Sequence, residues 1–190
     1  GAELEIDDLK RLPERAADAL KLENEIAARA VRYRFMDHAV VVGRGLNYAN
    51  AFEWALKMME TCYIVAERFS QADILHGPIA MVDQAFPAFV LAPPGVTWPV
   101  MGELIGKLAG LQAETLVLTD RSNKEAPKSA VRIPAALAFQ AKKGRTAMPA
   151  DLYTPIPYII PAQMFAASLS AVKGLNPDQP RGLSKVTLTL

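Results

Sequence analysis

Apolar and polar positions along this chain alternate between two rhythms, one of strands and one of helices. Ala39 to Val42 are apolar, largely β-branched and free of charge, the pattern of a strand buried on both faces of a parallel sheet. Gly43-Arg44-Gly45 makes a turn, and from about Tyr48 to Cys62 the period is helical. Phe52, Leu56, Met59 and Tyr63 form an apolar stripe on that helix, beside a face shared by Glu53, Lys57 and Glu60 at spacings of four and three. A helix that starts directly after a buried strand aims its N-terminus at the crevice beyond the strand's carboxyl end, where open α/β sheets take ligands.

Upstream, Leu4 to Asp8 are acidic enough to begin a helix, and Pro13 interrupts the first helical pattern. From Glu14 to about Phe35 the positions Ala17, Leu20, Leu22, Ile26, Ala27, Ala30 and Val31 keep an approximate 3.6 period, predicting an α-hairpin or bent helix packed on the domain. Downstream, Phe86 to Ala92 is a second buried strand, closed by Pro93-Pro94-Gly95. Trp98 to Leu111 is a helix with Val100, Met101, Leu104, Ile105 and Leu108 on its apolar side. Glu114 to Thr119 is the next strand, turned by Asp120-Arg121-Ser122-Asn123, and Ala130 to Ile133 is a short last one. Pro155, Pro157 and Pro161 punctuate the entry to an apolar helix from Tyr158 to Val172, with Gly174 as its cap. The rhythm predicts an α/β fold with a doubly wound parallel sheet and right-handed crossovers.

Composition narrows the class. With 190 residues, 51% of them hydrophobic and 22% charged, the chain can bury one sizeable core. Its 21 basic and 20 acidic residues are interspersed and leave a net charge of +1, so no footprint for nucleic acid or an anionic membrane exists and any anion must be held locally. Cys62 is the only cysteine, which excludes a disulfide framework and reads as a small buried hydrophobe. Two histidines and no cysteine cluster are too few for a typical metal site, so no metal or cofactor is expected. The N-terminus is acidic rather than signal-like and no apolar run approaches the ~18 residues of a membrane span, so a cytoplasmic setting is the expectation.

Three features carry candidate chemistry, and each has a plain alternative. The Glu53/Lys57/Glu60 face suits either a solvated surface with ion pairs or an acid–base group steadied by an ammonium. His76, in Leu75-His76-Gly77-Pro78, is either a turn residue or the side chain best suited to move protons near pH 7. Lys142, Lys143 and Arg145 beside Gly144 are either a solvated loop or an anion site.

The order of these pieces resembles the second sugar isomerase (SIS) domain of the glutamine–fructose-6-phosphate amidotransferase and aminosugar-phosphate deaminase superfamily. The matching motifs are Gly43-Arg44-Gly45, Glu53-Trp54-Ala55-Leu56-Lys57-Met58-Met59-Glu60, Ala66-Glu67-Arg68-Phe69 and His76-Gly77-Pro78, with Leu12-Pro13 upstream. Asp178-Gln179-Pro180-Arg181-Gly182-Leu183-Ser184-Lys185-Val186-Thr187 matches the family's closing loop and short strand, so the resemblance covers the whole chain. It implies an SIS-type three-layer αβα fold with a five-stranded, mostly parallel sheet. Residues 1–36 would be a helical linker packed on the domain, and 37–190 the SIS domain with a tail at 176–190.

The resemblance also implies roles. Glu60 would shuttle the proton between C1 and C2 of a sugar 6-phosphate, Lys57 would offset the developing charge, and Glu53 would position a substrate or ammonia-bearing group. His76 would open the ring in a neighbouring subunit of a homodimer, Lys185 would close over the sugar, and Arg44 and Gly45 would contact substrate. Two departures stand out. The family's Ser/Thr phosphate clamp belongs to a first SIS domain that would precede this chain, and here Arg44, Ser70 and Ser122 are scattered; Leu75 stands where the amidotransferase pattern has Lys. Phe69-Ser70-Gln71-Ala72-Asp73 and Val186-Thr187-Leu188-Thr189 incline the expectation toward aldose–ketose isomerisation coupled to deamination. The isomerase half of the glutamine-dependent synthase is the close alternative, and a non-catalytic sugar-phosphate-binding module the rival from another class.

Overall fold

The computed structural model describes residues 9–134 and 150–182. Two short helices, α1 (Leu12–Leu20) and α2 (Glu23–Arg32), lead into strand β1 (His38–Gly43). Helix α3 (Asn47–Cys62) follows, then β2 (Val65–Ser70), α4 (Gln71–Leu75), a 3-10 turn (Pro78–Met81) and β3 (Pro87–Leu91). Helix α5 (Trp98–Gly110), β4 (Glu114–Asp120), β5 (Val131–Ile133), a second 3-10 turn (Ala150–Tyr153) and α6 (Pro155–Val172) complete the described elements.

The five strands form one sheet in the order β2-β1-β3-β4-β5, and every pair is parallel. Alternation along the strands divides the core into two layers. Val41, Phe89, Leu91, Leu116, Leu118, Val131 and Ile133 face α1, α2, α3 and α6, whereas Val40, Val42, Ala88, Val90 and Val117 face α4 and α5. This is the doubly wound parallel sheet that the strand and helix pattern predicts, in the three-layer αβα arrangement that the resemblance implies. On the first side Tyr33, Trp54, Phe89 and Phe165 pack ring on ring, with centroids 5.0–5.7 Å apart. Cys62 lies buried there, its thiol donating to the Ala166 carbonyl, and burial pushes the thiol pKa up.

Two details differ from the reading of the hydrophobic pattern. Strand β2 carries no apolar run: Val65 and Glu67 are exposed and only Ala66 is fully buried, because this is the sheet's edge. Six paired positions along β1 hold it in place. Helix α3 turns Ala51, Trp54, Ala55, Met58 and Cys62 into the core, leaving Phe52 and Leu56 of the expected stripe on the surface.

Helix α6 begins at Pro155, three residues before the expected start, since Pro155 and Pro157 sit in the first turn where a missing N–H costs nothing. At 18 residues it is the one described helix long and apolar enough to cross a membrane by length and composition. Its contacts with α1, α2 and α3, and the burial of Tyr158, Ala162, Phe165 and Leu169, account for that apolarity as core packing. Gly174 follows with φ +73°, the left-handed residue that lets the Leu175 N–H reach back to the Ser170 carbonyl.

Candidate functional site

Strand β1 lies between β2 and β3, and the chain leaves it through α3 on one face of the sheet and returns to β3 through α4 on the other. The carboxyl ends of β1 and β3 are therefore the topological switch point of this sheet. Gly43 ends β1 so close to the first turn of α3 that a Cβ there would lie 2.3 Å from the Asn47 carbonyl oxygen. Gly45 holds φ +59°, and a Cβ on it would meet the Thr97 methyl at 3.3 Å, which places the Arg44-Gly45 turn beside the loop that follows β3. Arg44 and Gly45 are both exposed there.

Buried amides fix the start of α3. Asn47 Nδ2 donates to Thr154 Oγ1 at 2.6 Å, and Asn50 Nδ2 donates to Asn47 Oδ1 at 3.0 Å and to the Pro155 carbonyl at 2.8 Å. Two further bonds tie the other end of α3 to α6: Ser170 Oγ donates to the Thr61 carbonyl and Cys62 to the Ala166 carbonyl. The helix is thus clamped at both ends, and its outer face is presented by a rigid element.

That face carries the three charges expected on it. Lys57 Nζ lies 2.7 Å from Glu60 Oε2 and 3.9 Å from Glu53 Oε1. The three side chains are 34% (Glu53), 35% (Lys57) and 29% (Glu60) exposed, shielded enough to be held and open enough to meet a ligand. The Glu60 hydrogen bond chiefly raises the Lys57 pKa, so the ammonium stays charged. Glu53 Oε1 also accepts a 3.0 Å hydrogen bond from Gln163 Nε2 of α6. Beside the triad, Ala49, Phe52, Glu53, Leu56, Met59 and Arg68 line a groove of about 290 Å³, with the Arg68 guanidinium 5.0 Å over the Phe52 ring.

The remaining expected residues are spread out. Glu60 is 13 residues along α3 from Asn47, roughly 20 Å at 1.5 Å per residue, so Arg44 and Gly45 belong to the opposite end of the helix. His76 is exposed on the turn after α4, and among the described residues no hydrogen bond or ion pair joins it to the triad. Ser70 is committed to capping α4, where it accepts from the Asp73 N–H and donates to the Asp73 carboxylate. Lys185 and the Lys142, Lys143 and Arg145 cluster lie outside the described residues.

Two contacts escaped sequence reasoning. One is Gln163, whose only signal is an amide amid the apolar residues of α6. The other lies at the end of α3, where Tyr63 Oη accepts the Arg181 N–H at 2.9 Å and the Arg181 guanidinium stacks 4.3 Å from the Tyr63 ring. The segment preceding Leu183 is thereby anchored at the same end of α3 as Glu60.

The chain is similar to known proteins over most of its length. A family model described as SIS domain matches residues 34–173. The isomerising glutamine–fructose-6-phosphate aminotransferase of Acidithiobacillus ferridurans is 34% identical over 180 residues, covering 93% of this chain and 27% of that protein. Its counterpart in Pyrococcus horikoshii is 33% identical over 178 residues, covering 93% and 28%. The chain thus spans little more than a quarter of the length of these relatives. Among solved structures, the C-terminal domain of glucosamine-fructose-6-phosphate aminotransferase from Francisella tularensis superposes with a TM-score of 0.79 at 25% identity, over 91% of this chain and 46% of that one. Glucosamine-6-phosphate deaminase from Thermotoga maritima shares the fold, with a TM-score of 0.62 at 22% identity over 94% of this chain and 47% of that one.

Proposed function

This chain belongs to the SIS domain family, and on that premise we propose that it carries the enolising half of an enzyme acting on hexose or aminosugar 6-phosphates, moving a proton between C1 and C2. The observation that carries the reading is the Lys57 ammonium held between two carboxylates, 2.7 Å from Glu60 and 3.9 Å from Glu53, on a helix face still open to a ligand. Removing the C2 proton of an open-chain sugar needs a carboxylate lying over C1–C2, and the enediolate or enolamine that forms needs a nearby positive charge. Glu60 is the base and Lys57 the stabilising cation. Glu53 positions the group at C2.

His76 of a neighbouring subunit opens the sugar ring, so the proposal includes a homodimer that shares this loop. Lys185 follows the Arg181 anchor by four residues, roughly 14 Å of extended chain at most, a tether that supports a role for it at the same end of α3. Arg44 and Gly45 are assigned to whatever packs over the carboxyl edge of the sheet, substrate group or domain. A preceding SIS domain supplies the phosphate clamp. The 190-residue domain alone is therefore expected to unfold cooperatively in a thermal melt but to show no turnover, because binding energy at the remote dianion normally positions the reacting carbons.

The chemistry runs in either of two settings. In the first, isomerisation is coupled to deamination, and an aminosugar 6-phosphate and water yield ammonia and a ketose phosphate. The second, formation of the aminosugar from fructose 6-phosphate and glutamine, is supported by the printed names of the relatives at 33–34% identity. The test assays the full-length protein for ammonia release from glucosamine 6-phosphate and for glucosamine 6-phosphate formation from fructose 6-phosphate and glutamine. Glu60→Gln should lower the active direction by roughly 10²–10⁴-fold, the usual worth of a general base. Wild-type protein that binds sugar phosphate without turning it over in either assay would identify a non-catalytic module instead.

A further inference from the structure

Helix geometry alone does not explain how Lys57 divides itself between its neighbours. A Glu four residues before a Lys is the favoured order for a helical ion pair, yet Lys57 sits 3.9 Å from Glu53 and only 2.7 Å from Glu60, three residues after it. The difference comes from outside the helix. Glu53 Oε1, the oxygen nearest Lys57, already accepts the Gln163 Nε2 hydrogen bond at 3.0 Å. Gln163 is presented from α6, whose register against α3 is set by the Ser170–Thr61 and Cys62–Ala166 bonds and by the Asn50 bond to the Pro155 carbonyl.

We propose that Gln163 is a positioning residue: its amide holds the Glu53 carboxylate back from Lys57, which leaves the ammonium paired with Glu60. The inference rests on the triad being the reacting site, as proposed above. Without the amide, Glu53 is free to swing toward Lys57 and compete with Glu60 for it. The cation would then be shared between two carboxylates, and less of its charge would act where the base works.

The test is Gln163→Leu in the full-length protein, assayed in whichever direction the wild type runs. Gln163 is exposed, so the fold should tolerate the change. We expect kcat to fall roughly 3- to 10-fold, the scale of a partly exposed hydrogen bond to a charged group, with KM little altered and the acidic limb of the kcat–pH profile displaced. Gln163→Glu, which sets a second carboxylate against Glu53, should lose more and recover in part at high salt. In a Glu53→Gln background, Gln163→Leu should change nothing further, because the two act through one contact.

A Gln163→Leu protein with an unchanged kcat and pH profile, or with its full effect retained in the Glu53→Gln background, would overturn the proposal. A purely structural role would lower the melting temperature and leave the pH profile in place. Glu60→Gln run beside it separates the two claims. Turnover lost in Glu60→Gln but untouched in Gln163→Leu defeats this inference alone, while turnover kept in Glu60→Gln defeats the functional reading beneath it.

Discussion

The first turn of α3 and its outer face are built on opposite terms. At the first turn everything is backbone and buried amide: Gly43 has no Cβ to clash, Gly45 takes a left-handed φ, and Asn47 and Asn50 satisfy each other, Thr154 and the Pro155 carbonyl. On the outer face three charged side chains stand a third exposed, held by one short ion pair, one longer one and a single amide from α6. The first arrangement is dear to the fold and offers no acid or base. The second adds little to stability, since exposed ion pairs contribute about 0–1 kcal/mol, and leaves its groups partly open to solvent. A helix clamped at its buried contacts can present charged side chains on its outer face without their having to stabilise it.

The strongest way to break the contrast is at Gly43. Gly43→Ala puts a methyl 2.3 Å from a backbone oxygen that no side-chain rotation can move. A loss of roughly 3 kcal/mol or more is expected, or a drop of about 6–12 °C in the midpoint for a domain of this size. A calorimetric melt within a degree or two of wild type would show that strand and helix can part at no cost.

Asn50→Ala is the next largest. It leaves the buried Asn47 side-chain oxygen and the half-buried Pro155 carbonyl without this donor, worth about 1–3 kcal/mol. Chemical denaturation should show a lower midpoint with an unchanged slope. A change in kcat far exceeding that stability loss would mean that the two regions are coupled more tightly than their separation along α3 implies.

A smaller effect separates the pH dependence of the fold from that of the site. Burial, and after it the Glu114 carboxylate, pushes the Tyr33 phenol pKa well above its ordinary value near 10. The folded state therefore keeps its proton where the unfolded chain would lose it. That contribution is whole below about pH 10 and declines as pH rises beyond it. Tyr33→Phe should flatten the alkaline fall of the melting temperature between about pH 9 and 12 relative to wild type, and leave the pH profile of turnover where it was. Identical alkaline slopes in the two proteins would remove Tyr33 from the account.

Much of this was legible in the sequence, for reasons that differ from element to element. The β1 run and the α3 period could be read because burial on both faces of a parallel strand and charge on one side of a helix each leave a short-range pattern. That Glu53, Lys57 and Glu60 share one face followed from their spacing, while the roles expected of them came only with the family resemblance. Strand β2 could not be read in the same way: an edge strand with Val65 and Glu67 in solvent has no hydrophobic run, and it exists through its ladder to β1. The stripe of α3 that enters the core was ambiguous because Phe52 and Leu56 are as apolar as Trp54 and Met58, and only packing against α6 and the sheet decides between them. Gln163 was invisible because its partner Glu53 lies 110 residues away.

If Glu60 moves the proton at C1–C2, as proposed, that proton can be followed into solvent. Full-length wild-type and Glu60→Gln proteins are incubated with sugar 6-phosphate in D2O, and loss of the C1 and C2 proton signals is read by NMR alongside each protein's melting temperature. Solvent exchange should be catalysed by the wild type and slowed roughly 10²–10⁴-fold in the variant, with melting temperatures within a few degrees because the Lys57–Glu60 pair is a partly exposed one. Exchange at the wild-type rate in Glu60→Gln would contradict the proposal.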